Sequence, residues 1–201
     1  MKSKKIDSKH AAHLNDPQRV KIQNPDLIWN KIASEDPQVL IDIGAGTGFF
    51  AVPFAKKMNT GKIYACDLSE HMLDLLKKNI PEGFENIIVP VKTDENKVPL
   101  EDEIADLVFM ANLHHELEDP QKMVAEAYRL LKNDGKLAII DWKKDAPFGP
   151  PPSIRVTNDT IRAHMSSGGF SNIKEHNDLK FHYFLVGEKK ARTERLNLFP
   201  A

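Results

Sequence analysis

The 201-residue chain is 41% hydrophobic and 28% charged, a balance that fits one soluble globular domain and excludes disordered and fibrous classes. Its 28 lysines and arginines against 29 acidic residues give a formal net charge of -1, so no overall positive field draws it onto nucleic acid or an anionic membrane. One cysteine, Cys66, allows neither an internal disulfide nor a multi-cysteine zinc site and fits a reducing cytoplasm, and no apolar run approaches the ~18 residues of a membrane span.

Residues 1–37 read as an N-terminal arm and a lid helix. The start MKSKKIDSKHAAH has no apolar core of an export signal. The first 22 residues carry Lys2, Lys4, Lys5, Lys9, Arg19 and Lys21 against Asp7 and Asp16, with Leu14, Val20 and Ile22 spaced to close over a pocket. Asn24-Pro25 opens an amphipathic helix over Asp26 to Ser34, with Leu27, Ile28, Trp29 and Ile32 on one stripe.

From residue 38 to 190 the pattern is repeated strand and helix. Strands are predicted at Val39 to Ile43, Lys62 to Cys66, Ile87 to Val91, Ile104 to Ala111 and Leu137 to Trp142. Helices are predicted at Phe49 to Met58, Ser69 to Asn79 and Pro120 to Leu131. Runs such as VLIDI, LVFMA and LAIID are apolar on both faces, as strands covered on both sides must be, so the expected class is α/β with a doubly wound, mostly parallel sheet. Ser69 and Asp119-Pro120 are helix starts, and Asn133-Asp134-Gly135 is a stop. After the proline-rich KKDAPFGPPPS come a helix over Thr157 to Ser167 and an antiparallel hairpin, Phe170 to His176 and Lys180 to Val186, turning at Asn177-Asp178. Residues 191–201 read as a peripheral tail.

The segment richest in chemistry is VLIDIGAGTGFF, an apolar strand ending in Gly44, Gly46 and Gly48 and running into a helix. Glycines allow positive φ and close backbone approach to a ligand, and a helix N-terminus offers amides to a carboxylate or phosphate. The Gly-x-Gly-x-Gly spacing departs from the dinucleotide fingerprint, and no Gly-Lys-Ser/Thr follows to make a phosphate loop. Asp67, nineteen residues beyond Gly48 at the end of the second strand, can accept from both hydroxyls of a ribose or cap the Ser69 helix. Asp94, past the third strand, can meet an adenine amine or sit in a solvated turn.

On VLIDIGAGTG, IYACDLS, VKTDENKVPL, IADLVFMANLHHELEDP and LLKNDGKLAIIDW, the chain resembles the class I S-adenosylmethionine-dependent methyltransferases from about Val39 to Lys189. It is most similar to the small-molecule type related to the ubiquinone and menaquinone C-methyltransferases. The resemblance implies a Rossmann-like seven-stranded sheet whose last hairpin sets an antiparallel strand inside it. It also implies S-adenosylmethionine as cofactor and S-adenosylhomocysteine as product. Asp42, Gly44, Ala45, Gly46 and Gly48 would line the methionine end. Asp67 would hold the ribose, Leu68 and Met72 would flank the adenine, Asp94 would bind its amine, and Asn112 and Leu113 would close the pocket.

Transfer from a sulfonium requires alignment above all, and a base only where the acceptor arrives protonated. His114 and His115, beside the expected methyl, are the candidate catalytic residues, as base, as positioning groups or as structural rings, since imidazole titrates near neutrality. Asp141, Trp142 and Lys143 share that rim. No metal-ligand spacing occurs, and one cysteine disfavours arsenite as substrate. Asn112-Leu-His-His replaces the Asn/Asp-Pro-Pro-aromatic of amino-directed nucleic-acid enzymes. The expected partner is a small-molecule acceptor rather than nucleic acid, for a cytoplasmic monomer or homodimer. The alternatives are a non-catalytic cofactor-binding protein, an RNA-directed enzyme using the basic arm and a nucleotide-dependent oxidoreductase.

Overall fold

The computed structural model describes residues 18–33 and 37–190, so most of the predicted arm, with Leu14 and its first four lysines, and the predicted tail lie outside the described residues. The apolar runs become β1 (Val39–Ile43), β2 (Lys62–Asp67), β3 (Ile88–Lys92), β4 (Ala105–Ala111), β5 (Leu131–Trp142), β6 (Phe170–Glu175) and β7 (His182–Lys189). They form one seven-stranded sheet in the order β3-β2-β1-β4-β5-β7-β6. Strands β1 to β5 pair in parallel, while β7 lies antiparallel between β5 and β6. The expected doubly wound sheet with its inserted antiparallel strand is therefore present.

The helices are α1 (Arg19–Ile22), α2 (Pro25–Ile32), α3 (Ala51–Ala55), α4 (Glu70–Asn79), α5 (Pro120–Leu130) and α6 (Asn158–Ser167). Their starts follow the local chemistry. Asn24, Ser69, Asp119 and Thr157 each accept backbone N–H bonds at the helix entry, and Pro25 and Pro120 occupy first-turn positions where a missing donor costs nothing.

Strand alternation sends the core to both faces. Leu40, Phe109, Ile140 and Phe184 meet Ile28, Phe54 and Leu76 on one side, where α2, α3 and α4 lie. Ile41, Val108, Met110 and Ile139 meet Val124, Leu130, Ile161 and Met165 of α5 and α6 on the other. Because β1 has β2 on one side and β4 on the other, the winding reverses there and leaves a crevice at the carboxyl ends of β1 and β4, where such sheets hold ligands.

Two elements differ from expectation. The Asn133-Asp134-Gly135 stop lies inside β5 rather than before it: Ala105 pairs with Leu131, the register shifts, and pairing resumes at Leu107 with Lys136. Asp134, at φ 63, makes the turn that takes up the extra residues. The predicted Phe49 to Met58 helix is confined to Ala51–Ala55, because the chain before it is still in the glycine turn.

Candidate active site

The glycine loop leaves β1 with Gly44, Gly46 and Gly48 at φ 78, 55 and 88, a region costly for any residue with a Cβ. Its amides are mostly engaged within the chain. Gly44 and Ala45 donate to the Cys66 carbonyl, Gly46 to Asp67 Oδ2 and Gly48 to the Ala45 carbonyl. The sequence reading of a helix N-terminus near Gly48 with amides open to an anion is thus corrected. The helix begins at Ala51, the amides of Gly44, Ala45 and Gly46 brace the loop against β2, and that of Gly48 closes a turn within the loop.

Close packing explains two of the glycines. Leu113 lies over Gly44, where a Cβ would come within 3.1 Å of it, and a Cβ on Gly48 would meet Leu76 Cδ1 at 2.5 Å. Gly48→Ala is expected to lower stability by about 2–4 kcal/mol, combining left-handed strain with overpacking, as read from the denaturant midpoint.

Asp67 ends β2 nearly buried, its Oδ2 on the Gly46 amide at 2.8 Å and its Oδ1 on the Ser69 amide at 2.8 Å. Burial raises its pKa, and those two bonds oppose the rise. Ser69 caps α4 itself by accepting from Met72 N, so Asp67 braces the loop rather than the helix alone. Leu68 beside it is exposed and Met72 is buried. Asp94 is exposed in a turn closed by its own amide on the Lys97 carbonyl.

Asp42 is buried in β1, and its Oδ2 has no hydrogen-bond partner among the described residues. Burial, then the charge of Asp67, raise its pKa to about 7, and Arg19 opposes the rise. Arg19 lies 4.0 Å above the Phe49 ring centroid and donates from Nε to Gln23 Oε1 at 3.0 Å. Gln23 is fully buried and exchanges two amide bonds with Asn112, at 3.1 and 2.9 Å. Asn112 leaves β4 at φ 57, which turns its side chain to this contact. The α1 segment therefore roofs the crevice. Sequence reasoning missed Arg19 and Gln23 as site residues, because only their place in the arm, and no local motif, marks them.

The Asp42 carboxylate sets a pH dependence. Its folded pKa near 7 exceeds the ordinary 3.8, so its contribution is favourable in acid and is lost as pH rises through about 7. Asp42→Asn, neutral throughout, is expected to exceed the natural protein by about 2–4 kcal/mol at pH 8 and to match it near pH 4. Thermal melts at the two pH values check this.

The two adjacent histidines lie in a turn beyond β4, closed by the Glu116 amide on the Leu113 carbonyl at 2.8 Å, and point apart. His114 is fully buried on the α6 side, its Nε2 3.0 Å from His164 Nδ1, and burial lowers its pKa to about 4. His115 turns to β5. Its Nδ1 is 2.7 Å from Asp141 Oδ1, its backbone N–H donates to Asp141 Oδ2 at 2.9 Å, and Asp141 Oδ1 also accepts from Trp142 N. A carboxylate held by two backbone amides and facing Nδ1 selects the tautomer protonated there and leaves Nε2 as an acceptor. Among the described residues no group of three or more His, Cys, Asp or Glu is placed to hold a metal ion, and no helix is long and apolar enough to cross a membrane.

A family model described as a methyltransferase domain matches residues 41–139, from within β1 to within β5. Demethylmenaquinone methyltransferase of Chlamydia pneumoniae is 33% identical over 125 residues, 62% of this chain and 49% of that one. A ubiquinone/menaquinone biosynthesis C-methyltransferase of Cupriavidus taiwanensis is 28% identical over 164 residues, 70% of this chain and 67% of that one. The chain spans about half the length of the first curated relatives it matches. The crystal structure of a SAM-dependent methyltransferase from Aquifex aeolicus is similar with a TM-score of 0.84 at 28% identity, over 91% of this chain and 98% of that chain.

Proposed function

We propose that the chain is a class I S-adenosylmethionine-dependent methyltransferase that methylates a small-molecule acceptor, with His115 as the base where the acceptor must lose a proton. The observation that carries the reading is the unpartnered, buried Oδ2 of Asp42 near the Arg19 guanidinium, under one roof with the glycine loop. A zwitterionic amino acid fits that pair, its ammonium toward Asp42 and its carboxylate toward Arg19. The backbone of Gly44, Ala45, Gly46 and Gly48 lines the same end. Asp67 receives the ribose hydroxyls, Leu68 and Met72 flank the base, Asp94 meets its amine, and Asn112 and Leu113 close the pocket toward the acceptor.

When bound, the cofactor supplies a methyl group already activated on a sulfonium, which leaves behind a neutral thioether. The protein's own task is then to align, to exclude water and to take one proton. Alignment alone can supply roughly 7–11 kcal/mol of the barrier. The Arg19 to Gln23 segment, tied to Asn112, covers the mouth. His115 Nε2 takes the acceptor's proton, and Asp141 at Nδ1 stabilises the imidazolium that results. His114, turned into the α6 interface, supports the loop and takes no proton.

Isothermal titration with S-adenosylmethionine, S-adenosylhomocysteine and NAD tests the cofactor, and release of S-adenosylhomocysteine over a metabolite panel tests the acceptor class. Binding of both sulfur compounds without NAD is expected. Preference for NAD, or binding of neither sulfur compound, overturns the reading.

A further inference from the structure

Away from Asp42, the buried side-chain atoms without a hydrogen-bond partner among the described residues are single atoms of Asn96, His114 and Asn158 and both ring nitrogens of His182. His182, the first residue of β7, is 1% exposed, and neither Nδ1 nor Nε2 has a hydrogen-bond partner among the described residues. Native interiors leave few such groups unmet, and two on one ring call for a ligand or an ordered water. Burial lowers the ring's pKa to about 3, against the pull of Asp141, so it is a neutral imidazole with one donor and one acceptor nitrogen. Packing alone asks for none of this, since a phenylalanine would fill the same place.

The topology puts this ring at the mouth of the site. Because β7 runs antiparallel to β5, its first residue meets the last residue of β5, and His182 pairs with Trp142. The rings lie 4.1 Å apart, one residue beyond the Asp141 that holds His115. Alternation with Ile140 and Phe184 sets both on the sheet face that carries α2 to α4, the face on which Asp42 also lies. Asp141, Arg19, Lys143 and Arg155 act on His182 electrostatically, and none of them hydrogen-bonds to it. Next to Trp142 the wall turns apolar: Phe148 meets Trp142 edge-on at 5.7 Å and Phe181 at 4.7 Å, and it is 44% exposed.

We propose that His182 is an acceptor-binding residue, its imidazole hydrogen-bonding the single hydroxyl, carbonyl or amine of an otherwise apolar acceptor that lies along Trp142 and Phe148. The proposal rests on the methyltransferase reading above and adds to it the specificity of the acceptor side. Such a site discriminates between ligands of one shape that differ in one polar group, because the unsatisfied imidazole penalises the apolar member.

The test uses the full chain, labelled with nitrogen-15, and two probes that differ by one ring hydroxyl, p-cresol and toluene, in the presence of S-adenosylhomocysteine. The Trp142 indole N–H and the His182 ring nitrogens report binding by NMR. In the natural protein p-cresol is expected to bind about five- to tenfold more tightly than toluene and to shift the His182 nitrogens. In His182→Phe the two probes should bind alike, and in His182→Gln part of the preference should return. The amides of Gly44, Gly46 and Gly48 report the cofactor separately, and their failure to respond to S-adenosylhomocysteine would overturn the methyltransferase reading. If they respond while the natural protein does not prefer p-cresol, or prefers it without a change at His182, the His182 proposal falls. It falls equally if a folded His182→Phe keeps the preference.

Discussion

Asp67→Ala is expected to raise the dissociation constant for S-adenosylmethionine by about two to four decades, since each charge-assisted hydrogen bond to a ribose hydroxyl is worth about 1.5–3 kcal/mol and two are lost. The fold adds a second cause. Asp67 also holds the Gly46 and Ser69 amides, so its removal frees the loop as well as the ribose. Asp67→Asn separates the two, because the carboxamide oxygen keeps one of those acceptor bonds while the charge is gone. An intermediate loss is expected for it. The measurement is calorimetric titration of the folded variants, and an Asp67→Ala protein that binds like the natural one removes this carboxylate from the site.

His115→Ala is expected to lower turnover by two to four decades for an acceptor that must lose a proton, while cofactor affinity stays within about threefold. The remaining rate should rise with pH as the acceptor deprotonates unaided. Asp141→Asn should approach the same loss, because an amide at Nδ1 no longer selects the tautomer that leaves Nε2 unprotonated. His114 is the contrast. Buried against His164, it is expected to affect stability rather than turnover when replaced, so His114→Gln, which keeps a polar contact, is the control of choice. The comparison is made on single-turnover rates with cofactor saturating, and equal rates for His115→Ala and the natural protein would leave alignment as the whole of the catalysis.

The legible parts of this chain are those whose physical demands are local. Runs apolar on both faces announce buried parallel strands within five to seven residues, as VLIDI and ADLVFMA do. Three glycines at alternate positions announce a turn that needs positive φ at each, and the structure has it at each. Ser69, Asp119 and Thr157 carry their cap bonds three residues away. What the sequence by itself determined, then, is the order of elements, the fold class and the place of the loop. Contacts across the sheet are another matter. Gln23 meets Asn112 across 89 residues, His115 meets Asp141 across 26, and His182 meets Trp142 only because β7 enters antiparallel between β5 and β6. The same holds for β5, whose Asn133-Asp134-Gly135 turn is bridged by the pairing of Leu131 with Ala105. No local propensity encodes such pairs. They follow from strand order and register, which the whole chain settles at once by burying both faces of the sheet, and that tertiary decision is what turned scattered polar residues into one roofed site.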